Sequence, residues 1–141
     1  IRGNTAKDMS QETVLLFANE AFYLTFTTRD ADAMDAIWSA REDVTCVHPG
    51  WQPLIGRNEV MRSWRNILSN PKAPKIECEH VWAHVAETIA YVLCNEVMAE
   101  GQLAATNIFT LEDGAWKIIH HQAGPMPNTA RELTKKTPVF Q

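Results

Sequence analysis

The chain holds 141 residues, 45% of them hydrophobic and 21% charged, and 17 acids against 13 Lys and Arg leave a net charge of −4. This composition excludes a disordered or low-complexity polymer, and the length suits one domain able to bury its own core. The acidic balance argues against a nucleic-acid partner, and no apolar run reaches the ~18 residues of a membrane span. No charged-then-apolar leader opens the sequence. Cys46, Cys78 and Cys94 are odd in number and widely spaced, with no C-x-x-C pair. They read as reduced thiols of a cytoplasmic protein and not as a disulfide framework, although Cys46 and Cys78 could approach across strands.

The first half reads as helical. Over residues 8–28, Val14, Phe17, Ala18, Ala21, Tyr23, Leu24 and Thr28 recur at three- and four-residue steps, predicting an amphipathic helix with Asp8 or Ser10 as its cap. Asp30 should cap a short helix over 31–39 that turns Met34, Ile37 and Trp38 inward. Residues 44–48 are β-rich and run into Pro49-Gly50, and a brief extended piece over 51–55 closes at Gly56. A third helix is expected over 58–69, because Val60, Met61, Trp64, Ile67 and Leu68 share one face; Pro71 and Pro74 follow its end. The second half then changes period. Residues 75–85, 88–99, 103–111 and 115–122 read as four strands of an antiparallel meander, with Glu112-Asp113-Gly114 as a hairpin turn. Apolar residues on both faces of 89–94 predict that helices cover one face and a second copy of the chain covers the other, a homodimer through the sheet. Residues 122–141 read as a trailing arm, with the domain itself placed at 1–127 and a C-terminal arm at 128–141.

The order α-α-β-α-β-β-β-β, with Val47-His48-Pro49-Gly50-Trp51 before the third helix and Asp113-Gly114-Ala115-Trp116-Lys117-Ile118-Ile119-His120-His121 at the end, resembles the nuclear transport factor 2-like superfamily. Within it the chain looks most like the SnoaL-like proteins related to the calcium/calmodulin-dependent kinase II association domain, over residues 9–127. The resemblance implies an α+β fold, a cystatin-like cone in which three N-terminal helices pack in a curved, mostly antiparallel sheet. It also implies a pocket for a small hydrophobic or polar-aromatic ligand. That superfamily includes isomerases, dehydratases, cyclases and pure oligomerisation modules, so the fold is better specified than the function.

Carried over residue by residue, the resemblance places His48 where ketosteroid-isomerase-like members hold a carboxylate base. An imidazole suits that task near neutral pH. Tyr23 is the candidate phenol of an oxyanion hole, and Asn107 lies near the isomerases' hydrogen-bonding acid and near the association domain's pocket arginine. Ala123 stands where that domain has a second arginine, so a carboxylate clamp is not expected. Trp51, Trp64, Phe109 and His120 complete the expected pocket, with Trp64 also in phase with a packing role. Strand alternation from Trp116 and Ile118 puts His120 on the pocket face and His121 on the opposite one. His80 and His84, four apart on a strand, would stand about 13 Å apart, so no metal site is expected. The functional expectation is a small-molecule-binding pocket protein, either a cofactor-free isomerase- or dehydratase-type acid–base enzyme with His48 as base or a ligand binder without chemistry; the alternative is a non-catalytic homo-oligomerisation module.

Overall fold

A computed structural model describes residues 10–127. Helix α1 (Gln11–Thr28) is capped by Ser10, whose Oγ accepts the Thr13 N–H; Asp8, the other cap candidate, lies outside the described residues. Asp30 caps α2 (Ala31–Ile37) by accepting the Ala33 N–H at 3.0 Å. That helix stops short of the predicted residue 39 because Trp38 turns extended and bridges to Ile118. Strands β1 (Thr45–Val47) and β2 (Leu54–Ile55) follow. Gly56, at φ 102°, then swings the chain into α3 (Arg57–Ser69), a backbone angle at which a side chain would be strained.

The meander comprises β3 (Glu77–Ala86), β4 (Ile89–Met98), β5 (Gly101–Glu112) and β6 (Ala115–Met126). Asp113 and Gly114, at φ 51° and 81°, make the β5–β6 turn with both central residues left-handed, which matches the twist of a tight hairpin. The six strands run in the order β2-β1-β6-β5-β4-β3; β1 lies parallel to β6 and every other neighbour is antiparallel. The architecture is α+β, three helices against one six-stranded mixed sheet, with α1 crossing β3, β4 and β6. The first part of the predicted trailing arm is strand: β6 continues to Met126, paired with Gln102 of β5. The arm proposed for 128–141 lies outside the described residues.

Two expectations about facing are corrected. In α1 the buried residues are Leu15, Asn19, Phe22, Tyr23, Thr25 and Phe26, whereas Phe17 and Leu24, read as inward, are 61% and 59% exposed. The helix is apolar almost all round, so its sequence marks no single face and the sheet beneath selects one. In β6 the face assignment of the histidines is reversed. Ile108 pairs with His120 but Phe109 pairs with Ile118, so Ile119 is the extra residue of a β-bulge. Trp116 and Ile118 point inward before the bulge, and His121 and Ala123 point inward after it. His120 therefore faces away from the helices and pairs its Nδ1 with Thr45 Oγ1 at 2.7 Å.

Phe22 stands at the centre of the core. Its ring meets Tyr23, Phe26 and Trp64 edge-on, with centroids at 4.8, 5.4 and 5.6 Å, and tilts against His121 at 5.1 Å. Such edge-to-face contacts add to the area buried by each ring. Replacing Phe22 with Ala should lower unfolding stability by about 3–5 kcal/mol, the cost of a large aromatic cavity. Urea denaturation at neutral pH checks this, and a loss under 1 kcal/mol would contradict the packing described.

Candidate functional site

Between α1, α3 and the inner sheet face lies a cavity of about 260 Å³. Its walls are Phe26 of α1, Trp64 and Ile67 of α3, Ile76, Met98 and Leu103, with Pro49 and Trp51 from the loop after β1. Three polar groups break this apolar lining: His48, Glu96 and His121. Larger, more open hollows lie on the outer sheet face around Leu93 and beside Phe17 and Leu24 of α1, but the inner cavity is where the buried His48, Glu96 and His121 meet.

Hydrogen-bond directions there follow from one another. Asn19 Nδ2 donates to Cys78 Sγ at 3.6 Å, so its Oδ1 accepts Asn107 Nδ2 at 2.9 Å. The same Asn107 nitrogen donates to Tyr23 Oη at 3.2 Å, which leaves Asn107 Oδ1 to accept the Nδ1 proton of His121 at 2.5 Å. Tyr23 passes its own proton on, donating to Glu96 Oε2 at 2.7 Å. His121 is thus fixed with its proton on Nδ1 and a bare lone pair on Nε2, 3.8 Å from Glu96 Oε2. No described residue bonds the other carboxyl oxygen, Oε1 of Glu96. Since Oε2 already accepts from Tyr23, the proton that titrates belongs to Oε1.

Burial sets the protonation states. It raises the Glu96 carboxyl to about 7, an effect the Tyr23 hydrogen bond only partly offsets. It lowers His48 to about 4 and His121 to about 3, the latter helped by the neighbouring His48 and His120. Burial, followed by the Glu96 charge, also pushes the Tyr23 phenol upward, so it remains a donor at all ordinary pH.

His48 is tied differently. Ser63 Oγ spends its proton on the Val60 carbonyl at 2.7 Å, so it accepts from His48 Nε2 at 2.9 Å. The remaining nitrogen, Nδ1, sits 3.9 Å from the Cys46 thiol. Its ring is walled by Trp64 and Trp51, with centroids at 4.6 and 4.8 Å. Trp51, 48% exposed, stands at the cavity mouth. Tyr23 and Asn107 lie beneath the floor, acting through Glu96 and His121, while Phe109 is fully buried core and His120 is outside. Cys78 packs near Cys94 and not near Cys46, and all three thiols are free.

Two residues central to this site, Glu96 and His121, escaped the sequence reading. Glu96 carried a usable signal: Ala90, Val92, Cys94 and Glu96 alternate on one face of β4, which puts a carboxyl on an otherwise apolar inward row. His121 had none, because its facing depends on the bulge.

Comparison with known proteins supplies the context. The family model described as a SnoaL-like domain matches residues 16–128. A solved structure from Streptomyces avermitilis, described as a candidate dehydratase of the NTF2-like family, is 29% identical and superposes with a TM-score of 0.75 over 82% of this chain and 96% of its own. A candidate calcium/calmodulin-dependent protein kinase type II association domain from Thiobacillus denitrificans is 27% identical, with a TM-score of 0.71 over 77% of this chain and 92% of its own. A Caulobacter vibrioides protein with a cystatin-like fold, 16% identical with a TM-score of 0.72 over 93% and 99%, shares the fold alone. Among curated proteins, the F-box protein SKIP8 of Arabidopsis thaliana is 24% identical over 79% of this chain, which spans about half (49%) of that protein's length. Among the described residues no helix is long and apolar enough to cross a membrane.

The three shifted groups make stability depend on pH in a defined way. Glu96 binds its proton more tightly folded than unfolded, so its contribution is lost as pH rises from about 4.5 to about 7. The two histidines bind theirs less tightly folded, so their contribution is lost as pH falls from 6.5 toward 4 and 3. Two opposing one predicts stability that rises from about pH 4.5 to about 7 and then levels off, because the Glu96 and histidine contributions nearly cancel there. In Glu96→Gln the rise between pH 4.5 and 6.5 should be about twice as steep, and the variant should gain about 3 kcal/mol relative to the parent between pH 4.5 and 8. Urea unfolding across that range measures it; a gain independent of pH would show that Glu96 is not held protonated.

Proposed function

Because the chain belongs to the SnoaL-like domain family, we propose that its cavity carries out cofactor-free acid–base chemistry of the isomerase or dehydratase kind, with Glu96 transferring the proton. The observation that carries this reading is one carboxyl, buried in an aromatic cavity, with its proton affinity raised to about 7 and one oxygen left open. A group poised at the working pH both takes and returns a proton efficiently. The ionised carboxylate removes a proton from a carbon beside a carbonyl, and the C–H electron pair moves into the enolate. Returning that proton to a different carbon isomerises the molecule. Returning it to a departing hydroxyl forms the new double bond and releases water. Either way Glu96 ends as it began, and the sum needs no oxidant or reductant. The Streptomyces neighbour's description as a dehydratase agrees with the second course.

His48 is the competing base. Its Nε2 proton is committed to Ser63, and burial lowers it to about 4, far below Glu96, so we assign it to the wall. Exchange of the α-protons of 1-tetralone in D2O, followed by NMR, separates the two. Glu96→Gln should lose ~10²-fold or more of the exchange rate, the worth of a general base, while His48→Gln stays within about tenfold. The rate should rise with pH to a plateau above an apparent pKa near 7. The opposite ranking would make His48 the base, and no catalysed exchange by the parent protein would refute the enzymatic reading.

A second reading, a homo-oligomerisation module, rests on the outer sheet face. There Trp82, Ile89 and Leu93 are 53%, 41% and 41% exposed. The candidate association domain from Thiobacillus is its parallel. Exposed apolar residues on contiguous strands favour a covering partner, here a second copy joined through the sheet. Light scattering at micromolar concentration should give twice 15.9 kDa, and Leu93→Lys should shift the mass toward the monomer. A parent protein that is monomeric would dismiss the dimer.

A further inference from the structure

We infer that Cys78 and Cys94 form an oxidation site, a thiol pair that hydrogen peroxide converts reversibly to a disulfide, and that closing it removes a hydrogen bond from the Tyr23–Glu96 network.

The sheet assembles the pair. Cys78 of β3 stands opposite Glu96, and Cys94 is the neighbouring inward residue of β4, so the two thiols meet beneath α1. Asn19 Nδ2 of α1 donates to Cys78 Sγ at 3.6 Å and also reaches Cys94, while the Cys78 S–H donates to the Cys94 sulfur. Cys94 Sγ lies 3.2 Å from Tyr23 Oη. The Tyr23 proton is already given to Glu96, so the Cys94 S–H is the donor in that contact. One chain of donors therefore runs from Asn19 through Cys78, Cys94 and Tyr23 to Glu96.

Access, reactivity and backbone suit oxidation. Cys94 is 4% exposed, but Cys78 is only half-buried and borders the open hollow beside Leu24 and Thr27. Hydrogen bonds from Cys78, Tyr23 and Asn19 hold the Cys94 thiol below its ordinary value, against burial and the Glu96 charge. Once the pair loses one proton, the other is shared between the sulfurs, so the outer one also carries thiolate character. Diagonal neighbours on regular strands stand near the limit for a disulfide. Here His80, at φ 54°, and Val81 form a bulge opposite Cys94, which bends β3 beside the pair and gives it room to shift. Cys46 is the internal control, fully buried, its thiol pushed upward by burial and then by the Glu96 charge.

The step balances. The Cys78 sulfur attacks one peroxide oxygen, the O–O bond breaks, and the departing hydroxide takes the freed proton as water. The Cys94 sulfur then attacks the Cys78 sulfenic acid, the S–O bond breaks, and a second water leaves with the last proton. Two thiols are oxidised and one peroxide is reduced.

The experiment treats the full chain with a few equivalents of hydrogen peroxide and counts free thiols after denaturation. The parent should fall from three free thiols to one, lose about 2 Da and recover all three with dithiothreitol. Cys46→Ser should lose both of its thiols, whereas Cys78→Ser should form no disulfide within the chain. Should a variant not fold, a peptide map of the oxidised parent identifies the linkage. The Glu96 carboxyl, followed by 13C NMR, should titrate ~0.5 unit higher in the oxidised protein, because Tyr23 without its thiol donor binds the carboxylate less well. Three thiols surviving peroxide, a disulfide that includes Cys46, or one formed only between chains would overturn the oxidation site. A Cys78–Cys94 disulfide that leaves the Glu96 titration in place would overturn its coupling to the network. Neither readout requires turnover, so failure here and failure of the catalytic reading are separate results.

Discussion

A carboxyl group placed among aromatic rings must be either neutral or hydrogen-bonded, and Glu96 constrains much of this molecule because it needs both. One oxygen takes the Tyr23 proton, and Tyr23 in turn takes an Asn107 proton. Asn107 uses its second donor position on Asn19 and its oxygen on His121. Five polar side chains from α1, β4, β5 and β6 thereby lock into one orientation each. Every amide and ring in the set has a single arrangement that satisfies its neighbours, so the protonation pattern is built in when the strands pair. Asn107 is the pivot. As a positioning residue it never meets the cavity, yet it decides which nitrogen of His121 is bare.

The bulge at Ile119 is what makes this set possible. Without the extra residue, strict alternation from Ile118 would carry His120 inward and His121 out to the other face. The parallel pairing of β1 with β6 uses the same offset, since Cys46, buried, pairs with His121, while Thr45 pairs with His120 and bonds its ring. A local irregularity in one strand thus sets the chemistry on one face and the pairing of the short β1 on its edge. The two histidines, adjacent in sequence, end in different surroundings for the same reason.

This explains which features could be read from the sequence. The three helices, the meander, its turn at Asp113-Gly114 and the capping by Asp30 follow from period, turn chemistry and side-chain reach, all local causes. His48, Trp51, Trp64 and Asn107 can be placed around one inner region because each lies on an element with regular facing or in a recognisable family motif, whereas Tyr23 is placed only by the family resemblance. The phase of α1 was not legible, because polar Asn19 lies on its buried stripe while apolar Phe17 and Leu24 lie outside it. Asn19 is buried because Asn107 needs its oxygen, a partner 88 residues away that no local pattern announces. His121 was misassigned because a bulge changes parity without leaving a mark in composition. Glu96 is legible in principle, being the charged member of an inward row on β4.

The same alternation joins the cavity to the outer face. On β4, Glu96 points to the cavity while Leu93 and Ile89 point away, and Trp82 lies opposite Leu93 on β3. A slip of one residue in the β4–β5 register would exchange the two rows, setting Leu93 in the cavity and Glu96 against solvent. Burying the outer row therefore stabilises the register that holds Glu96 inside, at the expense of other pairings. Burial of Glu96 opposes folding at neutral pH, since its ionised form is the disfavoured one there. Apolar area covered there by a partner would offset that cost through the strand that bears it. A second chain on that face would thus support Glu96, the proposed proton-transfer group, without contacting it, which joins the two proposed readings in one sheet.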